Sequence, residues 1–245
     1  MLEIDAKDLY YRDLNALVRQ RIAEGVRQFR LRNIAGQRYI GCGLMDPEVL
    51  IEIEGVPGED LAAFMDGPRI VVHNNAQDGV GNTMNSGQVV VHGMAGDVIG
   101  YGMRGGRVYI RGDVGYRVGI HMKGYLSKQP IVVIGGTAGN FFGEYMAGGY
   151  LILLGNSSNG RPVVGDYCAT GMHGGTIYIR GEVDPDRLGR EVKQFSLQED
   201  DAAFLRPVLE DFLHELHLDW DLFDFDAYTK IVPVSTRPYG KLYAY

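Results

Sequence analysis

The stretch QVVVHGMAGDVIGYGMRGG, residues 88–106, decides the fold of this chain. It contains GYGMRG at residues 100–105, which matches the G-x-G-x-x-G spacing of a dinucleotide-binding turn. Such a turn has to leave a strand and open a helix within a βαβ unit. Here no helical pattern follows, and similar glycines recur along the chain at regular intervals. The pattern therefore indicates a structural repeat, and we predict no cofactor site at these glycines.

The repeat has a period of 19 residues. In each unit a short β-branched run precedes one small residue, and these small residues are Gly55, Asn74, Gly93, Gly112, Gly136, Gly155 and Gly181. Four of the six steps between them are 19 residues long, and the steps of 24 and 26 contain insertions around residues 125–130 and 157–162. Because a βαβ repeat needs about 30 residues, this unit is typical of one coil of a parallel β-helix instead.

Three rows of apolar residues support that interpretation. The first row stands four positions before each small residue: Ile51, Ile70, Val89, Val108, Val132, Leu151 and Ile177. The second stands two positions before it: Ile53, Val72, Val91, Ile110, Ile134, Leu153 and Ile179. A methionine row completes the coils: Met65, Met84, Met103, Met122, Met146 and Met172. Alternation with one strictly apolar face predicts strands with one buried side. We predict an all-β fold, a right-handed parallel β-helix of about seven coils.

The flanks are expected to cap the open ends of the β-helix, where unpaired strands would invite aggregation. We predict three parts: an N-terminal helix and hairpin cap at 1–48, the β-helix at 49–185, and a C-terminal helix and extended tail at 186–245. An apolar stripe predicts the first helix, and Asn33–Gly36 is the predicted turn of the hairpin. An apolar face over residues 203–216 predicts the second helix, and two prolines favour an extended tail at 231–245.

Composition excludes several classes of function. A net charge of −7 argues against nucleic-acid binding, which needs a basic face. The sequence opens without a signal-peptide pattern, so a cytoplasmic location is expected. The apolar stretch 131–155 carries Glu144 and many glycines, and the repeat explains it better than a membrane contact does. Two cysteines are too few for a disulfide scaffold or a four-thiolate cluster.

Few side chains suggest chemistry of their own. His73 and His92 stand one coil apart, with Glu54 one coil before, so a metal site is conceivable. The next residues in that row lack ligand character, and we interpret it as a surface ladder. His121 and His173 are interpreted as coil-corner residues.

The remaining reactive side chains also have structural interpretations. Cys42 and Cys168 are interpreted as small buried residues. Asp97, Asp113 and Asp166 are interpreted as turn residues that bond their own backbone. We predict no catalytic, cofactor-binding or metal-binding residue in this chain.

Two repeat units carry a family resemblance. GMAGDVIGYGMRGG at 93–106 and GTAGNFFGEYMAGG at 136–149 share the spacing G-x-x-G-x-x-x-G. This spacing resembles the C-terminal domain of the glutamate synthase large subunit, whose fold is a right-handed parallel β-helix. The resemblance is strong over 69–181. Through LYYRDLN at 9–15 and RPYG at 237–240 the chain also resembles the stand-alone form found in split glutamate synthases.

The resemblance implies a non-catalytic, bracing role. In that family other parts hydrolyse glutamine and pass ammonia to 2-oxoglutarate at FMN and an iron–sulfur cluster. The expected partners are therefore a class II glutamine amidotransferase subunit and an FMN and iron–sulfur synthase subunit. The amidotransferase nucleophile is an N-terminal cysteine, whereas this sequence begins Met1-Leu2. The family's three-iron cluster needs three cysteines, and two are present. No catalytic residue of the family can be carried over.

Two alternatives remain open. Similar repeats occur in the C subunit of formylmethanofuran dehydrogenase, in the related formyltransferase/hydrolase complex and in one of the subunits of N-methylglutamate synthase. The chain could also be an independent β-helix enzyme with a groove for a polymer, although its outward positions show no cluster of carboxylates.

Overall fold

The computed structural model describes residues 1–234. Their strands form one eleven-stranded sheet in the order β1-β2-β3-β4-β5-β6-β7-β8-β9-β11-β10. The strands are β1 (Leu2–Asp5), β2 (Gln28–Ala35), β3 (Leu50–Val56), β4 (Asp66–Val72), β5 (Ser86–Val91), β6 (Arg107–Ile110), β7 (Ile131–Ile134), β8 (Ala147–Leu153), β9 (Gly174–Arg180), β10 (Val192–Ser196) and β11 (Tyr228–Pro233). The α-helices are α1 (Tyr11–Ala23) and α2 (Glu199–Leu216), with 3-10 turns at Pro185–Arg187 and Phe225–Ala227.

The parallel β-helix is confirmed. Strands β3 to β9 pair in parallel, each with the next, and the sheet grows by one strand per coil. Both aliphatic rows pair position by position, from Ile51 opposite Ile70 to Leu153 opposite Ile179. The solenoid has about six turns rather than the predicted seven, because seven successive strands enclose only six complete turns between them. The right-handed winding stays a prediction.

The three predicted rows form the inner core. All fourteen aliphatic residues are fully buried, and the six methionines are at most 1% exposed. Equivalent side chains of neighbouring coils stack at the strand spacing of about 4.8 Å, so each row packs against copies of itself. No single coil could bury its own apolar face, and the stack is therefore the unit of stability.

The N-terminal flank is partly as predicted. Helix α1 forms and buries Leu14 and Val18 against the core. The prediction of a hairpin around Asn33–Gly36 was wrong. Strand β2 runs through most of this segment and pairs in parallel with β1 and β3. Asn33 has a φ of +58°, and the register with β3 shifts between Leu31 and Ile34. The left-handed residue thus makes a bulge within one strand instead of a reversal of the chain.

The sheet includes strands from both segments that were predicted as flanks. Strands β1 and β2 lie before residue 49, and β10 and β11 lie after residue 185. The division at 1–48, 49–185 and 186–245 stays a prediction. The predicted helix within 203–216 is confirmed as part of α2. Strand β11 is extended as expected for the start of the tail, whereas the predicted tail beyond Val234, including RPYG at 237–240, lies outside the described residues.

Side-chain oxygens tie each coil to the next. Oδ1 of Asp97 accepts a hydrogen bond of 2.8 Å from the backbone N–H of Tyr116, one coil on. Oδ1 of Asp113 accepts one of 2.7 Å from Thr137, and Asn140 accepts one of 2.9 Å from Asp166. The prediction that Asp97 and Asp113 bond their own turns was wrong, because the stacked coils bring the next N–H closer. Asp166 donates its own N–H in this ladder, and its carboxylate pairs with Arg187 at 2.7 Å.

This ladder explains the first glycines of the repeat unit. A Cβ built on Gly115 would lie 1.8 Å from Oδ1 of Asp97, and one built on Gly96 would lie 1.9 Å from Oδ1 of Asp78. The side-chain oxygen of one coil thus occupies the space that a side chain would need in the next coil. Glycine is required here for room and not for a special backbone conformation.

The second half of each coil needs left-handed backbone at alternate positions. In the coil that begins at Gly93, the φ angles of Val98, Gly100 and Gly102 are +54°, +69° and +55°. Their N–H groups bond alternately to the next coil and to the previous one: Val98 to Tyr116, Gly100 to Val80 and Gly102 to Ile120. The middle residue faces inward, where a Cβ on Gly100 would come within 3.2 Å of Val132.

Helix α2 does not cap an end of the β-helix, as expected for a flank, but lies across the outer face of the sheet. It buries Leu205, Val208, Leu209, Phe212 and Leu216. Together with outward residues of the strands, they form a second hydrophobic core: Val71, Val90, Tyr109, Val133, Ile152 and Tyr178. The prediction that the strands have only one buried side was wrong for the middle strands, which are buried on both faces.

Polar pairs fix the position of α2 on the sheet. The hydroxyl of Tyr109 donates to Asp211 at 2.8 Å, and that of Tyr178 donates to Asp201 at 2.8 Å. Asp201 also accepts from Lys230 at 2.6 Å and from the backbone of Gln198 at 2.9 Å, which closes the capping box of α2. Hydrogen bonds from buried tyrosines to these carboxylates need one axial placement of the helix, so they set its register.

Replacing Gly115 by alanine tests the inter-coil ladder. The new Cβ would displace Asp97, so we expect a loss of about 2 kcal/mol or more in unfolding free energy, measured by urea denaturation. Gly160→Ala is the control, because no atom lies within 4 Å of its Cβ and only its φ of +80° is costly, at about 1 kcal/mol. Adding Asp97→Ala to Gly115→Ala should recover part of the loss. Equal losses for Gly115→Ala and Gly160→Ala would contradict this explanation.

Truncating Phe212 tests the second core. Phe212 is fully buried, and its ring meets Tyr109 edge-on at 5.6 Å between centroids. Phe212→Ala should lower the unfolding free energy by about 3–5 kcal/mol, whereas Phe195→Ala, at a position in β10 that is 47% exposed, should change it by less than about 0.5 kcal/mol. A small effect at Phe212 would mean that α2 is not anchored on the sheet.

Candidate functional site: an exposed aromatic face

The predicted histidine row forms, but without a metal-binding arrangement. The rings of His73 and His92 stack at 5.3 Å between centroids, and His217 at the end of α2 lies 6.2 Å from His92. Glu54 points to other partners and forms ion pairs with Arg30 and Arg32. Within residues 1–234, no three histidine, cysteine or acidic side chains lie together so that they could hold a metal ion.

Burial and positive neighbours act on His92. Burial lowers the pKa of its imidazole, and the nearby His73, His217, Arg111 and Arg69 lower it further. His92 therefore stays neutral at pH values where a free histidine would be partly charged. His73 and His92 form an outward ladder, as predicted, and His217 directly after α2 lies beside His92.

The two cysteines lie in different environments. Cys168 is fully buried, as predicted, and burial raises the pKa of its thiol to about 12. Cys42 is only half-buried; burial raises its pKa, with Arg19 opposing the effect. Neither has the lowered pKa of a reactive thiolate. An iron–sulfur cluster does not fit these residues, because the chain has only these two thiols.

The two corner histidines serve different purposes. Nδ1 of His173 lies 3.2 Å from the carbonyl oxygen of Gly171, which is a local turn contact. His121 is exposed and belongs to a stack of rings that sequence analysis did not identify: its ring lies parallel to Tyr145 at 5.4 Å and meets Tyr101 edge-on at 5.9 Å.

A second stack lies beside the first. The rings of Phe141 and Tyr167 are parallel at 5.0 Å, and the guanidinium of Arg117 lies 4.7 Å above Phe141. Arg117 is held by Glu144, whose Oε2 accepts from its Nε at 3.0 Å. We call the two stacks together the aromatic face: Tyr101, Arg117, His121, Phe141, Tyr145 and Tyr167.

The left-handed path of each coil produces the aromatic face. Of these six residues, Arg117, His121, Phe141, Tyr145 and Tyr167 all have φ angles between +52° and +63°. They stand five or nine positions after the small residue of the repeat, when the residues of the second insertion are left out of the count. The residue seven positions after the small residue, such as Gly119 or Gly143, points inward. Bulky residues rarely adopt this conformation, which costs roughly 1–2 kcal/mol each. Such strain is typical of surfaces retained for function.

The aromatic face is exposed to solvent. Tyr101, Tyr145 and Tyr167 are 41%, 39% and 57% exposed, and Tyr116 beside them is 53% exposed. Single exposed apolar residues are ordinary, but rings stacked on successive coils form a continuous surface. Tyrosine and arginine are enriched where proteins bind one another. The arrangement can bind a partner; it holds no nucleophile with an adjacent base among the described residues.

This face could have been found from the sequence. Extending the alignment of the coils to positions five and nine after the small residue collects Phe141, Tyr167, His121 and Tyr145 in two columns. The signal was missed because the alignment covered the strand positions and the methionine row, and not the turn positions between them. No helix in residues 1–234 has both the length and the apolar character needed to cross a bilayer.

Thiol reactivity should separate the two cysteines. In the native protein, a water-soluble disulfide reagent should modify Cys42 and leave Cys168 unmodified, because Cys168 is buried and its pKa is raised to about 12. Titration in denaturant should yield both thiols. Cys42→Ser should abolish the native reaction, and Cys168→Ser should leave it unchanged. Modification of Cys168 in the folded chain would show that the last coil opens.

The comparisons with known proteins agree with this architecture. The family model described as "GXGXG motif" matches residues 22–234. The uncharacterized protein MJ1350 of Methanocaldococcus jannaschii is 48% identical over 250 residues, which cover 98% of this chain and 95% of the relative. A chain of the formyltransferase/hydrolase complex FhcABCD from Methylorubrum extorquens, solved with methylofuran, is similar with a TM-score of 0.61 and 18% identity, over 89% of this chain and 85% of that one. That likeness shows the fold alone. The stacked glycine coils and the family match together establish that this chain belongs to the GXGXG motif family, as does the C-terminal domain of the glutamate synthase large subunit.

Proposed function

We propose that this chain is a non-catalytic structural subunit of a split glutamate synthase. It would brace a class II glutamine amidotransferase subunit against an FMN and iron–sulfur synthase subunit during glutamine-dependent glutamate formation. The aromatic face carries the proposal: a rigid β-helix holds stacked rings toward solvent at a cost in backbone strain, which is of use to a protein that binds other subunits. Family membership supports the choice of glutamate synthase.

The partners would supply all the redox chemistry. FMN and the iron–sulfur cluster belong to the synthase subunit in this proposal, since the thiols of this chain cannot hold a cluster. Glutamine hydrolysis belongs to the amidotransferase subunit. The contribution of this chain is then geometric: it holds two active sites at a fixed separation so that ammonia passes from one to the other.

A second candidate is a role like that of the C subunit in a formyltransferase/hydrolase or formylmethanofuran dehydrogenase complex. The fold likeness to a chain of FhcABCD favours it. At 18% identity this likeness does not carry a reaction over, so the two candidates differ only in the subunits that they predict as partners.

Purification of the tagged chain from its own cells distinguishes the candidates. We expect amidotransferase and FMN synthase subunits to co-purify in fixed proportion, and glutamine-dependent glutamate formation to need all of them. Co-purification with molybdopterin or amidohydrolase subunits would favour the second candidate. Glutaminase or glutamate synthase turnover by the isolated chain would contradict a non-catalytic role.

Substitutions on the aromatic face test how the subunits are held. Tyr145→Ser combined with Tyr167→Ser should weaken assembly at least about tenfold, because buried tyrosines dominate interfaces. The control is Tyr10→Ser, which removes a ring that is 56% exposed but lies outside the aromatic face. The dissociation constant is measured by biolayer interferometry against the purified partners, with circular dichroism to confirm folding. Equal affinities for both variants would place the interface elsewhere.

A further inference from the structure

A hollow lies beside Trp220, which follows α2, and four glycines contribute to its lining. The outward row that contains His73 and His92 continues with Arg111, Gly135 and Leu154. The hollow, of about 270 Å³, lies next to Arg111 and Gly135, with Gly93, Gly112 and Gly136 also in its lining. At Gly135 only glycine allows the close approach of the neighbouring atoms. A Cβ on Gly135 would lie 2.2 Å from the carbonyl oxygen of Arg111 and 3.0 Å from the ring of Trp220.

The walls of the hollow are polar and aromatic. His92 and Arg111 stand on one side of the hollow. Asn156 and Ser157, which follow β8, also line it, and the indole of Trp220 closes the rim. Trp220 is anchored by Phe212, whose ring centroid lies 6.3 Å from its own. The amide oxygen of Asn156 accepts from Arg180 at 3.0 Å, which leaves the amide N–H groups as donors.

Arg111 beside the hollow has no carboxylate paired with it among residues 1–234. The lining contains no carboxylate. Arg111 is exposed, and within residues 1–234 it forms neither an ion pair nor a side-chain hydrogen bond. Two nearby carboxylates are engaged: Asp113 accepts from Ser157 and Thr137, and Glu215 pairs with Arg69. Nε of Arg180 is buried without a partner.

We propose that this hollow binds a small oxyanion of the carboxylate or phosphate class. The Arg111 guanidinium forms the charge-assisted pair, Asn156 and His92 donate further hydrogen bonds, and the indole of Trp220 covers the apolar side. The volume of the hollow limits it to a small ligand, because pockets for drug-sized molecules begin at about 300 Å³. Burial lowers the pKa of His92, and its neighbours His73, His217, Arg111 and Arg69 lower it further. The proposal does not depend on the subunit role.

Trp220 reports binding directly, because it is the only tryptophan in the chain. We would titrate the full chain with sodium phosphate and, separately, sodium acetate, at constant ionic strength set by sodium chloride. A saturable change in tryptophan emission with phosphate or acetate, but not with chloride alone, is expected. The ion with the lower midpoint identifies the preferred class.

Two arginine variants make the test specific. Arg111→Gln should raise the midpoint at least tenfold, which corresponds to about 1.4 kcal/mol of binding free energy. Arg104→Gln removes the same charge from another exposed coil position outside the lining and should leave the midpoint unchanged. The absence of saturation in the wild type, or equal midpoints for wild type and Arg111→Gln, would overturn the proposal. An equal loss in both variants would show general attraction by charge and would overturn it too.

Thermal unfolding gives a second readout. A ligand that binds only the folded chain raises its Tm by mass action. Phosphate or acetate should therefore raise the Tm of the wild type and of Arg104→Gln, with no such effect on Arg111→Gln. If Arg111→Gln is less stable without ligand, this comparison still applies, because it uses the change caused by the anion. The same rise in all three proteins would contradict a site at Arg111.

Discussion

Each coil has to close in register with the coil before it, because its backbone groups find their partners there. This single constraint organises the whole solenoid. It fixes a period of 19 residues and places equivalent side chains of neighbouring coils directly above one another. It also places the oxygen of Asp97 in the space beside Gly115, where the next coil must lack a side chain. The insertions at 125–130 and 157–162 leave this register intact, because residues 125–129 and 159–162 are exposed and lie outside the core.

The same constraint creates the surface. Hydrogen bonds that alternate between the next and the previous coil require left-handed backbone at alternate positions. At those positions the chain must either use glycine or accept strain. At inward positions it uses small residues, either glycine, as at Gly100 and Gly119, or alanine, as at Ala62. Large side chains with left-handed backbone stand where the residue faces outward, as at His121 and Tyr145. Left-handed backbone at large side chains therefore occurs at the outer surface of the coils, where the aromatic face lies.

Sequence reasoning succeeded where a residue contacts the residues at the same position of the neighbouring coils. The aliphatic and methionine rows were predicted because stacking turns a sequence period directly into a contact. It failed where two different elements meet. The apolar face of α2 was recognised, but nothing local told which surface it covers; the apolar outward residues Val90, Tyr109 and Ile152 were the unused signal. The hairpin failed for a related reason, since a left-handed Asn33 suits a bulge as well as a turn.

If the proposed subunit role holds, the surfaces of the β-helix that are already covered limit where a partner could bind. Helix α2 covers the outer face of the sheet, and the flanking strands β1 and β2 at one end and β10 and β11 at the other continue the sheet beyond the coils that carry the glycine ladder. The coil corners that carry Tyr101, Tyr145 and Tyr167 remain open to solvent among the described residues. Stacked rings on consecutive coils give such a surface a regular spacing, with centroids between 5.0 and 5.9 Å apart. A partner that matches this spacing meets side chains already ordered by their neighbours, and the entropy lost on binding is correspondingly small.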